Sequence, residues 1–428
     1  MRAEARLGDQ MYALCERLYP IVRSITGDGV RRTLREIGEL IPLELHEVPS
    51  GTQVFDWTVP PEWNISDAYI VNERGERIID LREHSLHVVS YSEPVRACLS
   101  LEELQQHLHS LPEHPNWIPY RTSYYSRSWG FCLTHAQRMS LAPGRYEVVI
   151  DSRLEPGSLT YGEYFVPGER DEEFLVSTHV CHPSLANDNL SGIAVATFLA
   201  RRLTAEGRLR CGFRFIFVPS TIGAITWLAR NQNRLGRIAG GLVISGVGDR
   251  GGFTYKRSRS GGVIDRVFER VLRRRGTPHR IEPFSPYGYD ERQFCSPGIG
   301  LPVGCLMRTP FGQYPQYHTS ADDLSFITPE SLEETVDVCA EALAEFALVR
   351  RYRNLSPYCE PQLGRRGLYD AIGGENDKKS AQMALLWMLS YSDGTHSTLD
   401  ISDLSGLSLE TLDRAASRLC DARLLAPC

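Results

Sequence analysis

The chain of 428 residues is long enough for two or three domains at ~100–200 residues each. With 42% hydrophobic residues, 23% charged residues and a net charge of −6, it reads as a globular protein and offers nothing basic to attract nucleic acid or an anionic membrane. No apolar run approaches the ~20 residues of a membrane span, the first fifteen residues lack a signal peptide's apolar core, and eleven cysteines without paired spacing fit reduced thiols, so a cytoplasmic protein is expected.

In chain order, residues 8 to about 45 read as two helices around a Thr26-Gly-Asp-Gly-Val turn, with Leu14, Leu18, Ile21 and Val22, then Leu34, Ile37, Leu40 and Ile41, at helical spacing. From Leu43 to about Pro94, short alternating runs broken by Pro, Gly and Asn predict a small β-rich module, an inserted side domain over 46–135. Leu101 to Leu111 reads as a short helix with Ser100 and Glu103 as a capping box. The aromatic segment Trp117 to Phe131 either lines an apolar pocket or packs the side domain on the main one. From Tyr146 a β/α rhythm sets in, with strands at 146–151, 174–178, 213–218, 240–245 and 301–307 and helices at 191–205, 222–234, 261–275 and 329–350. This predicts an α/β domain over 136–353, completed by the N-terminal helices of 1–45. A polar linker from Asn354 to about Lys379 then leads to three short helices over 380–428, a winged-helix module. That module carries three arginines against six acids over 381–428, the wrong sign for a DNA reader, so docking or homo-oligomer formation is the expected role.

The chemistry gathers at predicted strand ends. Ser177-Thr-His-Val-Cys-His-Pro-Ser-Leu-Ala-Asn-Asp-Asn-Leu-Ser-Gly192 runs from a buried strand into an apolar helix, the place where α/β sheets bind ligands. His179, His182, Cys181 and Asp188 share this loop. Asp249, the Asp290-Glu291 pair and His318 stand at later strand ends. Imidazole, thiolate and carboxylate all suit zinc, and a carboxylate between two half-sites can bridge a metal pair about 3.5–4 Å apart. Cys181 is equally readable as a buried, inert thiol. Ser296 and Cys295 have no identifiable base partner, and no Gly-rich phosphate loop follows the first strands.

The order His179, then Ala186-Asn-Asp-Asn-Leu-Ser-Gly, then an acidic strand end, then Tyr317-His-Thr-Ser-Ala-Asp resembles the co-catalytic zinc aminopeptidases, the clan that also contains the glutaminyl cyclases. The longer phrases, with Asp290-Glu-Arg-Gln-Phe-Cys-Ser-Pro-Gly and Ser50-Gly-Thr-Gln-Val-Phe-Asp-Trp, resemble a bacterial aminopeptidase-like family carrying an inserted N-terminal β domain and a C-terminal winged helix. The resemblance implies a mixed α/β sheet flanked by helices and a zinc centre of two or more ions. It places His179 and Asp249 on one metal, Asp188 as the bridge and His318 on the second. Two departures bear on the chemistry. The clan's His-x-Asp reads His179-Val-Cys181 here, followed by His182, and its Glu-Glu pair of base and ligand is replaced by Ser220-Thr221. Hydroxyls cannot do a carboxylate's work as base at neutral pH. Asp290 and above all Glu291 are the replacement candidates, and Cys181 with His182 could hold a further zinc. The expected substrate is an aminoacyl amide, in a short peptide or a small molecule. The alternative is a protein that kept the fold as a binding scaffold.

Overall fold

The computed structural model describes residues 6–368 and 375–428, with the backbone alone for 375–379. The linker expected over 354–379 lies partly outside these residues. The chain forms two compact units, 1–340 and 341–428.

The first unit is built on an eight-stranded sheet. Its four central strands, Gly212–Val218, Glu173–His179, Ile238–Ile244 and Val303–Met307, lie side by side and parallel. They are buried almost throughout, as their continuous apolar runs require. Helices Gly192–Glu206 and Ile222–Arg230 follow the first two of these strands in sequence. The antiparallel strands Ser158–Val166 and Glu44–Pro49 extend one edge, and Phe253–Lys256 with His279–Glu282 extend the other. The parallel run opens all its carboxyl ends on one side, which is where the candidate residues stand.

Two strands sit in sheets other than those expected. Glu44–Pro49, anticipated in the side module, is an edge strand of the main sheet, and Arg145–Glu155, anticipated as the first strand of the α/β domain, is central in the side sheet. Both alternate buried and exposed positions along part of their length. A period of two names a strand but not its partner. The side domain is therefore a four-stranded antiparallel sheet of Arg77–Asp80, Glu62–Val71, Arg145–Glu155 and Val95–Ser100. The Ser100–Glu103 capping box forms as expected, but its helix ends at Gln105, and Ser85–His87 forms a short 3₁₀ turn.

The second unit is a winged helix. Helices Glu375–Tyr391, Thr398–Ser405 and Leu409–Asp421 pack around Leu385, Met388, Leu412, Ala416 and Leu419, beside a three-stranded antiparallel sheet. Ser397 and Asp400 cap the middle helix, and Gly406, at φ 71°, ends it in the left-handed conformation that glycine adopts at least cost. All eleven cysteines are free thiols, and no helix among the described residues is long and apolar enough to cross a membrane.

Candidate metal centre

His179 is the last residue of its strand, and the loop after it is held in place almost atom by atom. Asn189 donates through Nδ2 to Thr178 Oγ1 at 2.7 Å and to the His179 carbonyl at 3.1 Å, while its Oδ1 accepts from the Gly246 N–H. Asn187 Oδ1 accepts from the N–H groups of Gly248 and Asp249 at 2.8 and 3.2 Å. Ser191 donates to the Asn187 carbonyl and accepts from the Val247 N–H. The loop is thus sewn to the neighbouring strand end, residues 245–249. Gly192 is required by this closeness, since a Cβ there would stand 2.3 Å from Asn189 Oδ1 and 2.7 Å from the Ile244 carbonyl. Buried polar groups this well paired hold one conformation.

Asp188, fully buried, is what this packing positions. Its Oδ1 lies 3.0 Å from His179 Nε2, and its Oδ2 lies 3.0 Å from His318 Nε2. The second approach has no hydrogen-bond geometry, and both of its atoms are buried without another partner. A buried carboxylate oxygen and an imidazole nitrogen left without other partners and facing one another in this way fit a shared cation. His182 joins from the same loop: ligand atoms of His179, His182 and Asp188 all lie within 4.8 Å of one another. His318 stands outside that trio and meets the other oxygen of Asp188, as two half-sites on one carboxylate would.

The electrostatics agree. Burial alone would raise the Asp188 pKa, but the imidazoles of His182, His179 and His318 outweigh it and hold the carboxyl well below its ordinary range. Loss of hydration drives His182 well below its ordinary value against the pull of Asp188, leaving the neutral imidazole that a metal needs. His318 is held with its backbone at φ 56°, a left-handed conformation that costs a non-glycine residue roughly 1–2 kcal/mol. The Tyr317 ring stacks on its imidazole, 4.0 Å between centroids, and its carbonyl accepts from the Tyr120 N–H. The Tyr120 ring lies 5.0 Å from His182 and 5.1 Å from His318, and Tyr289 stacks on His179. The aromatic segment packs against the loop that carries His318, pairing with it through Pro119 and Thr319.

Two expected residues do not converge. Asp249 was to complete the first metal site. Its carboxylate instead accepts from Thr309 Oγ1 at 2.7 Å, the Gly251 N–H at 2.7 Å, Asn187 Nδ2 at 3.1 Å and the Thr309 N–H at 3.2 Å, and so serves the loop. Glu291 was to act as base. Its Oε1 is instead paired with the buried Lys256 ammonium at 2.8 Å, which makes the carboxylate half of an ion pair. Asp290 is the better placed of the two. Ser220 Oγ donates to its Oδ1 at 2.9 Å, and burial pushes its carboxyl up to about 6 against the pull of His179 and of that hydroxyl. Cys181 Sγ stands 3.3 Å from His182 Nδ1 and accepts from the Ser220 N–H at 3.3 Å, and burial holds the thiol protonated.

Sequence reasoning assigned nothing to Asp322 or Arg23. Asp322 accepts the Asn187 and Asp188 N–H groups on its two oxygens, at 2.6 and 2.9 Å. Burial pushes its carboxyl up to about 8 against the pull of these two donors. Arg23, 1% exposed, donates from Nε to the His182 carbonyl at 2.8 Å and from Nη1 to Leu18 O and Thr33 Oγ1. Asp322 lies within the Tyr317-His-Thr-Ser-Ala-Asp phrase, so a signal existed, whereas nothing local marks Arg23.

Residues 12–347 match the family described as a domain of unknown function, DUF4910, and residues 350–427 match a winged helix-turn-helix family. A Clostridium acetobutylicum protein, provisionally named a polysaccharide biosynthesis protein with aminopeptidase-like domain, is 50% identical over 419 residues, 98% of this chain and 96% of that protein. A provisional peptidase from C. acetobutylicum, known as a crystal structure, is 48% identical with a TM-score of 0.87, over 98% of this chain and 96% of that one. The zinc aminopeptidase BSAP from Bacillus subtilis shares 11% identity and a TM-score of 0.59 over 79% of this chain and 95% of its own, a likeness of fold. The chain belongs to the DUF4910 family, and it joins an aminopeptidase-like fold with an inserted β domain to a C-terminal winged helix.

Proposed function

We propose that the chain is a zinc-dependent amidohydrolase that releases an N-terminal aminoacyl group from a short peptide or a small-molecule amide. The observation that carries this reading is the buried Asp188 carboxylate, with one oxygen 3.0 Å from His179 and the other 3.0 Å from His318. His179 with Asp188, and Asp188 with His318, are the residues that would hold the metal. Bound zinc polarises a carbonyl and brings the pKa of its water to about 7. Asp290, whose raised pKa suits a base that works near neutrality, would take up a proton on the oxygen that Ser220 leaves free. Tyr120, Tyr289 and Tyr317 pack against the imidazoles of His318, His179 and His182 and shield the sides they cover.

The test is an aminoacyl-amide and dipeptide panel read by amino acid release, with the protein zinc-loaded, stripped by chelator and reloaded. Release that vanishes on stripping and returns on reloading is expected; zinc-loaded protein that cleaves nothing rules the enzyme out. Ser220-Thr221, which offers no carboxylate at the strand end beside His179, favours a second reading as a binding or scaffold protein. In that case panel compounds shift the melting temperature without being cleaved.

A further inference from the structure

We propose that the third protein ligand of the first metal is His182, in the position the resemblance gives to Asp249, and that Cys181 is the outer hydrogen-bond partner of His182 and no ligand. The inference rests on the metal-dependent reading above and concerns which side chains hold the ion.

Several observations converge on His182. Its ligand atom belongs to the trio with His179 and Asp188, all within 4.8 Å. Zinc–nitrogen bonds of about 2.0–2.1 Å bring tetrahedral ligands to roughly 3.3 Å apart, so the trio needs only a modest closing movement. The ring is aimed from behind. Nδ1 faces Cys181 Sγ at 3.3 Å, which leaves Nε2 for the ion. A ligating imidazole normally has its second nitrogen occupied in this way, and the outer partner fixes tautomer and orientation. The sulfur is itself anchored, accepting from the Ser220 N–H at 3.3 Å. The His182 carbonyl is held by Arg23 Nε at 2.8 Å, so backbone and ring are both fixed.

Asp249 is excluded by its own bonds. The two donors on Thr309, the Gly251 N–H and Asn187 Nδ2 take both its oxygens, and recruiting it to an ion would strip several of these. A buried donor left unsatisfied costs about 1–3 kcal/mol. With His182 in its place, the first metal has two neutral imidazoles and one carboxylate, and the half-site is more positive by one unit than with Asp249.

Cobalt(II) titration of the full-length, metal-stripped protein tests this without substrate, by absorption spectroscopy and calorimetry. His182→Ala and His182→Gln should each weaken the tighter cobalt site at least 100-fold, and Cys181→Ser and Asp249→Asn each only about tenfold, in the range of outer-partner losses. Circular dichroism checks that each variant is folded. The wild-type cobalt spectrum should lack a sulfur-to-metal charge-transfer band, a readout that holds even if a His182 variant does not fold. Wild-type affinity in folded His182→Gln, loss of the site in Asp249→Asn, or a charge-transfer band that disappears in Cys181→Ser each overturn the assignment, as does a wild type that binds no cobalt. Cobalt binding through His182 with no amide cleavage would remove the proposed activity and leave the ligand assignment standing.

Discussion

The strands Glu173–His179 and Gly212–Val218 lie side by side in register, His179 opposite Val218, yet their carboxyl ends are built to opposite purposes. After His179 come His182 and Asp188 within nine residues, on a loop held by Asn187, Asn189, Ser191 and Asp322. After Val218 come Pro219, Ser220 and Thr221, which carry no charge. Ser220 still reaches both sides of the site, its N–H to Cys181 and its hydroxyl to Asp290. The difference teaches a division of labour. On the proposed reading one strand end would supply metal ligands, the next only hydrogen bonds, and the acid–base carboxylate would come from residue 290, at the start of the short helix Glu291–Phe294.

The comparison breaks most visibly at Asp290. Asp290→Asn should lower kcat about 10²–10⁴-fold, the usual worth of a general base, with zinc content unchanged by metal analysis. Because the base must be ionised, wild-type kcat should rise as pH climbs through about 6 and level off above, and the variant should lose that limb. Asp322→Asn probes the other strand end. An amide has one acceptor where two N–H groups need two, so its NH₂ must face a donor, and the loop carrying Asp188 loosens. Zinc affinity should fall about 10–100-fold, as for other outer-sphere losses, measured by competition with a chelator. Ser220→Ala sharpens the contrast at the smallest cost. Losing the hydroxyl that favours the charged form raises the Asp290 pKa, so the acidic limb moves to higher pH. The lost hydrogen bond is worth about 1 kcal/mol, up to roughly fivefold in rate on the limb and little on the plateau.

What was legible in the sequence follows from how local each feature is. The loop from Ser177 to Gly192 carries its ligands and its packing residues within sixteen positions, so its place after a buried strand and before a helix could be read directly. His318 was legible from its phrase. Asp249 was read correctly as a strand-end acid, but its fate is decided by Thr309, sixty residues on, which no local pattern announces. The choice between Asp290 and Glu291 was illegible for the same reason. They are neighbours, and only Lys256, on a strand thirty-five residues earlier, turns Glu291 into half of a buried ion pair. The strands at 44–49 and 145–155 show the equivalent limit for the fold, since alternation marks a strand while its sheet is set by distant partners. The winged helix was legible because its three helical runs are short-range signals.

The central claim is that Asp188 bridges the two halves of a working metal site. The most direct measurement is zinc content and aminoacyl-amide turnover on the same preparations of wild type and Asp188→Asn, with circular dichroism as the folding check. The account predicts that wild type carries zinc and cleaves, and that folded Asp188→Asn loses most of its zinc and falls to background turnover. Full turnover in a zinc-depleted Asp188→Asn protein would contradict it.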